Sequence, residues 1–279
     1  MTQITEFAAF SDGPTGGNPA GVLVAPVLLP RGEMQSTARR LGHSETVFAA
    51  PDGEGWTVRY FAPEAEVAFC GHATIALGAR LGELHGPGTY ALSLRDGAIT
   101  VETRAEGDLW AATLVSPPTR SAPLEAGETK ALLDLFALAA DDLDPRIPPS
   151  RAHGGVDHAV LALRDCARLA AMAYDFAAGR DLMRRMDVVT VSLIRADGPA
   201  RFDARNAFAA GSVVEDPATG AAAAALGGLL VDLGWPGLVE GGTFDVAQGE
   251  DMGMPSRLRV EVTGTSGASV RVSGTARRL

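Results

Sequence analysis

The chain has 279 residues, 46% of them hydrophobic and 21% charged, and 24 Lys and Arg stand against 34 Asp and Glu for a formal net charge of −10. That balance is ordinary for a globular protein, and no run of Lys or Arg offers the basic stripe of a nucleic-acid binder, so a small-molecule partner is expected. Two cysteines, Cys70 and Cys166, are too few for a disulfide scaffold and suit a reducing cytoplasm.

The opening MTQITEFAAFSDG lacks a basic segment followed by an apolar core, so no signal peptide is expected. ITEFAAF reads as a strand, SDGPTGGNPAG as a glycine-rich turn and VLVAPV as a second strand. RGEMQSTARRL has the pattern of an amphipathic helix, with Met34, Ala38 and Leu41 on one side. ETVFAA and WTVRYFAP are strands, followed by a helix from about Gly71 to Gly82 and three short strands in YALSLRDG, AITVETR and DLWAATLV. SPPTRSAP reads as a linker or crossover, ETKALLDLFALAADDL as a helix, HAVLALRD as a strand, and ARLAAMAYDFAAGRDLMRRM as a helix broken at Gly179. VVTVSLIR, ARFDARNAF, RLRVEVTG and SVRVSG complete the strands, with EDPATGAAAAALGGLLVDLG among them.

That last segment repeats an earlier one. Glu66, Gly71 and Ala76-Leu77-Gly78 match Glu215, Gly220 and Ala225-Leu226-Gly227 at a constant offset of 149 residues. Each copy follows a strand with an Arg shortly before a Phe, RYF in one and RNAF in the other. An offset near half the chain is what a duplicated domain predicts. Neither Val67–Ala79 nor Pro217–Val231 contains an acidic residue, Lys or Arg. A helix apolar on all sides is buried on all sides, and both are too short for the roughly 20 residues of a membrane span. The expected fold is therefore α+β: two similar, pseudo-symmetric domains, residues 1–117 and 118–279, each a barrel-like, mostly antiparallel sheet around a central apolar helix. The C-terminal strand is free in this reading to cross back to the first domain.

The helix starts at Gly71 and Gly220 offer unpaired N–H groups and a positive dipole end, so two of them, one per domain, would make a carboxylate-binding cleft. Asp216 and Thr219 read equally as simple N-caps. Cys70 is a nucleophile or base activated by a helix end, or a small packed residue; His72 is expected to point away from it. The five histidines and two cysteines show neither HxxxH nor CxxC, so no metal is expected, and GxSxG is absent. Glu45, in HSETVFAA, sits where a helix gives way to an apolar strand; half burial there would raise its pKa toward the range of proton transfer, but most glutamates so spaced are simply solvated, and spacing alone does not select it.

HSETVFAA, FAPEAEVAFCGHATIALGARLG, EDPATGAAAAALGGLL, GGNPAGV and AQGEDMG resemble, in order and over nearly the whole chain, the phenazine-biosynthesis PhzF-like family. The resemblance implies a diaminopimelate epimerase-like fold, a frequent homodimer, and an isomerase that uses no metal or organic cofactor. In the phenazine isomerase the glutamate of the SET motif moves a proton between carbons of dihydro-3-hydroxyanthranilate, and that residue matches Glu45. Gly71, His72 and Asp216 match residues that orient the substrate's carboxylate and amine, and Asn18, Gly220 and Ala221 lie in the same binding motifs. Ala221 stands where the family commonly has Ser, which removes a hydroxyl donor. Diaminopimelate epimerase uses two cysteines; Cys70 matches the first, but Asp216 replaces the second. Two alternatives accompany this reading: an amino-acid epimerase or racemase using Cys70 with Glu45 or Asp216, and a non-catalytic small-molecule binder.

Overall fold

A computed structural model describes residues 4–95 and 97–279. In chain order the elements are β1 (Thr5–Ala9), β2 (Asn18–Val24), α1 (Arg31–Leu41), β3 (Glu45–Asp52), β4 (Gly55–Phe61), β5 (Glu66–Val67), α2 (Gly71–His85), β6 (Gly88–Leu94), β7 (Gly97–Glu106) and β8 (Leu109–Val115). There follow β9 (Arg120–Pro123), α3 (Ala126–Leu135), β10 (Ser150–His153), β11 (Asp157–Ala162), α4 (Cys166–Ala170), α5 (Phe176–Met186), β12 (Thr190–Ala196) and β13 (Arg201–Ala207). The chain closes with β14 (Glu215–Asp216), α6 (Gly220–Asp232), β15 (Gly242–Gln248), β16 (Ser256–Val262) and β17 (Arg271–Arg278). Two compact units result: the chain up to Val115 together with Ser273–Leu279, and Ser116–Val272.

In the first unit β1, β2, β3, β4, β6, β7 and β8 pair successively, and β17 pairs with both β1 and β8, which closes the sheet into a barrel. The β2–β3 and β4–β6 pairs are parallel. Helix α2 runs inside, with every residue from His72 to Ala79 buried. Its small residues permit this. A Cβ on Gly78 would lie 2.8 Å from Ala112 Cβ and from Val101 Cγ2, so the barrel wall comes closer than alanine allows. The helix extends one turn past Gly82 and stops at Gly86, whose φ of 91° lies outside the helical range.

Alternation along β4 separates two packed faces. Tyr60 faces α2, its hydroxyl 2.7 Å from Thr74 Oγ1. Phe61 turns the other way and packs with Leu23, Phe48, and Met34 and Ala38 of α1. Strands covered on both faces read as continuous apolar runs, which is why ETVFAA shows no alternation.

The second unit repeats the scheme. β9, β10, β11, β12, β13, β15 and β16 pair successively, with β11–β12 and β13–β15 parallel. Helix α6 packs against β9, β10, β11 and β16. A Cβ on Gly227, the counterpart of Gly78, would meet Val260, Val262 and Val270 at 3.1 Å each. A second core joins the outer helices to the sheet, among them Leu132 of α3, Leu169 of α4, Met183 of α5, Leu161 of β11 and Leu193 of β12.

Four expectations change here. The Pro-rich SPPTRSAP is not a plain linker, because β9 within it pairs with β10. The helix in ETKALLDLFALAADDL ends at Leu135, and Ala137 takes a φ of 50°. The next helical stretch breaks at residues 171–175 rather than at Gly179, because Asp175 starts a new helix by accepting the Ala178 N–H at 2.8 Å. Gly179 instead lies within α5 against the Tyr174 ring, where a Cβ would approach to 2.5 Å. Strands β10 and β15 had no counterpart in the sequence reading. Among the described residues, no helix is long and apolar enough to cross a membrane.

Candidate active site

In the first unit, α1 ends on Gly42, which has a φ of 74° and donates its N–H to Ala38 O at 3.0 Å. The turn then delivers His43, Ser44 and Glu45, the first residue of β3, opposite Ala20 of β2. Asn18 begins the same β2 strand, buried and opposite Ala9. A second approach comes through β4 and β5. Glu66 pairs there with Arg59 and, at 3.1 Å, with Arg31. The Arg59 hydrogen bond holds the Glu66 carboxyl below its usual pKa. This brace fixes the short connection into α2.

Cys70 is the N-cap of α2, in an extended conformation (φ −144°, ψ 119°), and accepts the Thr74 N–H and hydroxyl on its carbonyl at 3.0 and 2.7 Å. Gly71 is the first helical residue and His72 the second. Because Cys70 is not itself helical, its side chain folds over the first turn, and Sγ lies 3.4 Å from His72 Nδ1. The expectation that His72 points away from Cys70 is therefore corrected: the helical spacing rule does not reach across an N-cap. His72 Nε2 lies 3.4 Å from Glu45 Oε2 and 3.3 Å from Ser44 Oγ. Donor atoms of Glu45, Cys70 and His72 all fall within 4.8 Å of one another. Cys70 is 8% and His72 5% exposed. Burial raises the Glu45 pKa, against the opposing hydrogen bonds from Ser44 and Cys70.

The second unit has a corresponding start to α6. Arg205 donates to both carboxylate oxygens of Glu215, at 3.0 and 2.6 Å. Asp216, buried, pairs with Asn206 across β13–β14. The Thr219 hydroxyl donates to Asp216 Oδ2 at 2.5 Å, and Gln248 Nε2 donates to Asp216 O at 2.6 Å and to Thr219 Oγ1 at 3.1 Å. The Thr219 N–H donates to Gln248 Oε1 at 3.3 Å. Gly220 and Ala221 are the first two helical residues. Thr219 is the N-cap by position, yet its hydroxyl serves Asp216 rather than the helix N–H groups.

A family model described as phenazine biosynthesis-like protein matches residues 7–279. The chain belongs to the phenazine biosynthesis-like, or PhzF, family. An uncharacterized isomerase of Deinococcus radiodurans is 34% identical, covering 99% of this chain and 92% of its own length. Trans-2,3-dihydro-3-hydroxyanthranilate isomerase of Pseudomonas fluorescens is 29% identical over 95% of this chain and 91% of its own. A PhzF-family phenazine biosynthesis protein of Bacillus anthracis superposes with a TM-score of 0.87 at 20% identity, over 99% of this chain and 96% of its own. The present member of the PhzF family is an isomerase.

Within this isomerase, Glu45 and His72 come together with Cys70, and Asp216 with Gly220 through Thr219. Two contributors escaped the sequence reading. Ser44 is visible in HSET but has no distinguishing spacing. Gln248 stands in AQGEDMG, yet only β15, parallel to β13, brings it to Asp216. The trio of Glu45, Cys70 and His72 also escaped the metal-spacing rules, because its donors come from two elements separated by β4 and β5.

Proposed function

We propose that this PhzF-family isomerase moves a proton between carbons of a small carboxylate or amino-acid-like substrate, without a cofactor, and that Glu45 is its general acid/base. The observation that carries the reading is the Glu45 carboxylate, half-buried, raised in pKa and 3.4 Å from His72 Nε2. A carboxylate destabilised by burial takes a carbon-bound proton more readily than a solvated one. The first N–H groups of α2, beginning at Gly71, and the His72 imidazole supply positive potential for the charge that develops on the substrate. Asn18, Gly71 and His72 in the first unit, and Asp216, Gly220 and Ala221 in the second, are the proposed substrate-binding residues. Ala221 offers no side-chain hydroxyl, which favours a substrate other than the dihydro-3-hydroxyanthranilate acted on by the Pseudomonas enzyme.

The test is carbon–hydrogen exchange in heavy water with a panel of amino, hydroxy and conjugated carboxylic acids, followed by proton NMR. The native enzyme exchanges its substrate, and Glu45→Gln folds normally without doing so; exchange surviving in Glu45→Gln overturns the assignment. As a base, Glu45 must be ionised, so kcat/KM falls as the pH drops through a value above the usual glutamate range.

A second reading rests on Cys70 Sγ lying 3.4 Å from His72 Nδ1, a thiol–imidazole pair suited to an epimerase. Cys70→Ala separates the two: near-complete loss of exchange favours the thiol, and modest loss favours Glu45.

A further inference from the structure

The end of β15 reaches the start of α6 through a set of polar contacts that the first barrel is built without. Gln248 closes β15 and is 1% exposed. Its Oε1 accepts the Thr219 N–H at 3.3 Å, while its Nε2 donates to Asp216 O at 2.6 Å and to Thr219 Oγ1 at 3.1 Å. These partners fix the amide: a flipped one would set donor against donor at the Thr219 N–H and acceptor against acceptor at Asp216 O. An ionised carboxylate only accepts, so Thr219 gives its one hydroxyl proton to Asp216 Oδ2, at 2.5 Å, and takes its own hydrogen bond from Gln248. The donors therefore run one way, from Gln248 to Thr219 to Asp216. The chain beyond Gln248 stays close to the same loop. Gly249 has a φ of 78°, and a Cβ there would press on Met254 O and lie 2.8 Å from Pro217 O.

The first unit shows which part of this is architecture. Phe61 and Ala207 each pair with the glutamate of the brace, Glu66 or Glu215, which aligns Trp56 with Phe202. Their parallel partners, Leu92 and Val246, then align Leu94 with Gln248. The constant offset places Val67 at Asp216 and Cys70 at Thr219. The acid, the hydroxyl and the amide are thus replaced together in a barrel of the same plan.

We propose that Gln248 is a positioning residue for Asp216, acting through the Thr219 hydroxyl, and that the chain holds the Asp216 carboxylate in the orientation that receives substrate. This rests on the reading of Asp216 as a substrate-binding residue.

The test uses full-length protein and two readouts. The first is NMR of the Gln248 side-chain amide with 15N-labelled glutamine. Its protons are protected from solvent exchange in the native protein, and Thr219→Val moves their resonances. Rapid exchange of these protons overturns the chain whatever the substrate. The second is carbon–hydrogen exchange in heavy water, with the panel acid that the native enzyme exchanges fastest. Thr219→Val raises KM by about tenfold with a smaller change in kcat, and Thr219→Ser restores the native KM. Gln248→Glu cannot donate and raises KM alike; combined with Thr219→Val it adds nothing further, because both act on one proton. Multiplying effects in the double variant overturn the proposal. So does a Gln248→Glu or Thr219→Val that lowers the unfolding temperature and leaves KM native, the mark of a merely architectural role. Native KM in Asp216→Asn, with the Gln248 amide still protected, instead refutes the substrate role of Asp216 and leaves the hydrogen-bond chain intact.

Discussion

The starts of α2 and α6 are built on one plan and equipped for different work. The strand registers align them: Phe61 pairs with Thr46 and Glu66, and Ala207 pairs with Val191 and Glu215. That equivalence places Thr190 where the first unit has Glu45, and the constant offset places Thr219 at Cys70 and Ala221 at His72. The Arg–Glu brace survives in both copies, as Arg59–Glu66 and Arg205–Glu215. The ionisable trio survives only in the first.

At the Glu45 position the second unit keeps a neutral network instead. Thr190 Oγ1 lies 2.8 Å from His158 Nδ1 and 3.4 Å from Asn206 Oδ1, which also accepts from Ser192. Burial lowers the His158 pKa to about 4, so this imidazole is neutral near pH 7. The comparison teaches that the scaffold and the chemistry are separable. The Arg–Glu brace and the buried helix recur in both units, whereas the carboxylate, thiol and imidazole trio of the first is replaced by Thr190, Thr219 and Ala221 in the second, where Asp216 is the buried acid at the helix start.

The sharpest way to break the comparison is to exchange its halves. Glu45→Gln should lower exchange by about 10²–10⁴-fold. Thr190→Val, at the equivalent place, should leave the chemical step within a few fold; an equal loss in both would refute the claim that one copy carries the chemistry. Truncating the buried helices tests what the copies share. Leu77→Ala and Leu226→Ala, both at fully or nearly fully buried positions, should each cost about 3 kcal/mol in denaturant unfolding.

The braces should differ by less. Arg205→Ala strands the buried Glu215 carboxylate and should cost about 2–3 kcal/mol, while Arg59→Ala leaves Glu66 its Arg31 partner and should cost about 1 kcal/mol. Equal losses would mean that Arg31 contributes nothing. The smallest effects concern pH. The folded pKa of His158 lies below its unfolded value, so stability is full above about pH 6.5 and declines as the pH falls toward about 4. His158→Gln should flatten that part of the profile. Glu45 has the opposite sign: its raised pKa means that the ionised carboxylate opposes folding, so Glu45→Gln should raise the unfolding temperature at neutral pH, and the gain should fade below the usual glutamate pKa. An unchanged profile in either variant would show that burial does not set its titration.

By itself the sequence determined the duplication, the two apolar helices and their starts, because these are written in local composition: charge-free runs, small residues and a constant offset. It determined family membership through motifs spread over the chain. Glu45 was legible only through its motif, since an isolated glutamate has no periodicity. Tertiary structure alone decided the rest. Strands such as β9, β10 and β15 are stabilised by partners distant in sequence, so their short or Pro-bearing segments carry weak local signals. The contact of Cys70 with His72 depends on one extended residue at a helix cap, which spacing rules treat as helical. The meeting of Glu45 with that pair depends on the barrel placing the start of β3 beside the start of α2, a long-range juxtaposition that no local pattern encodes.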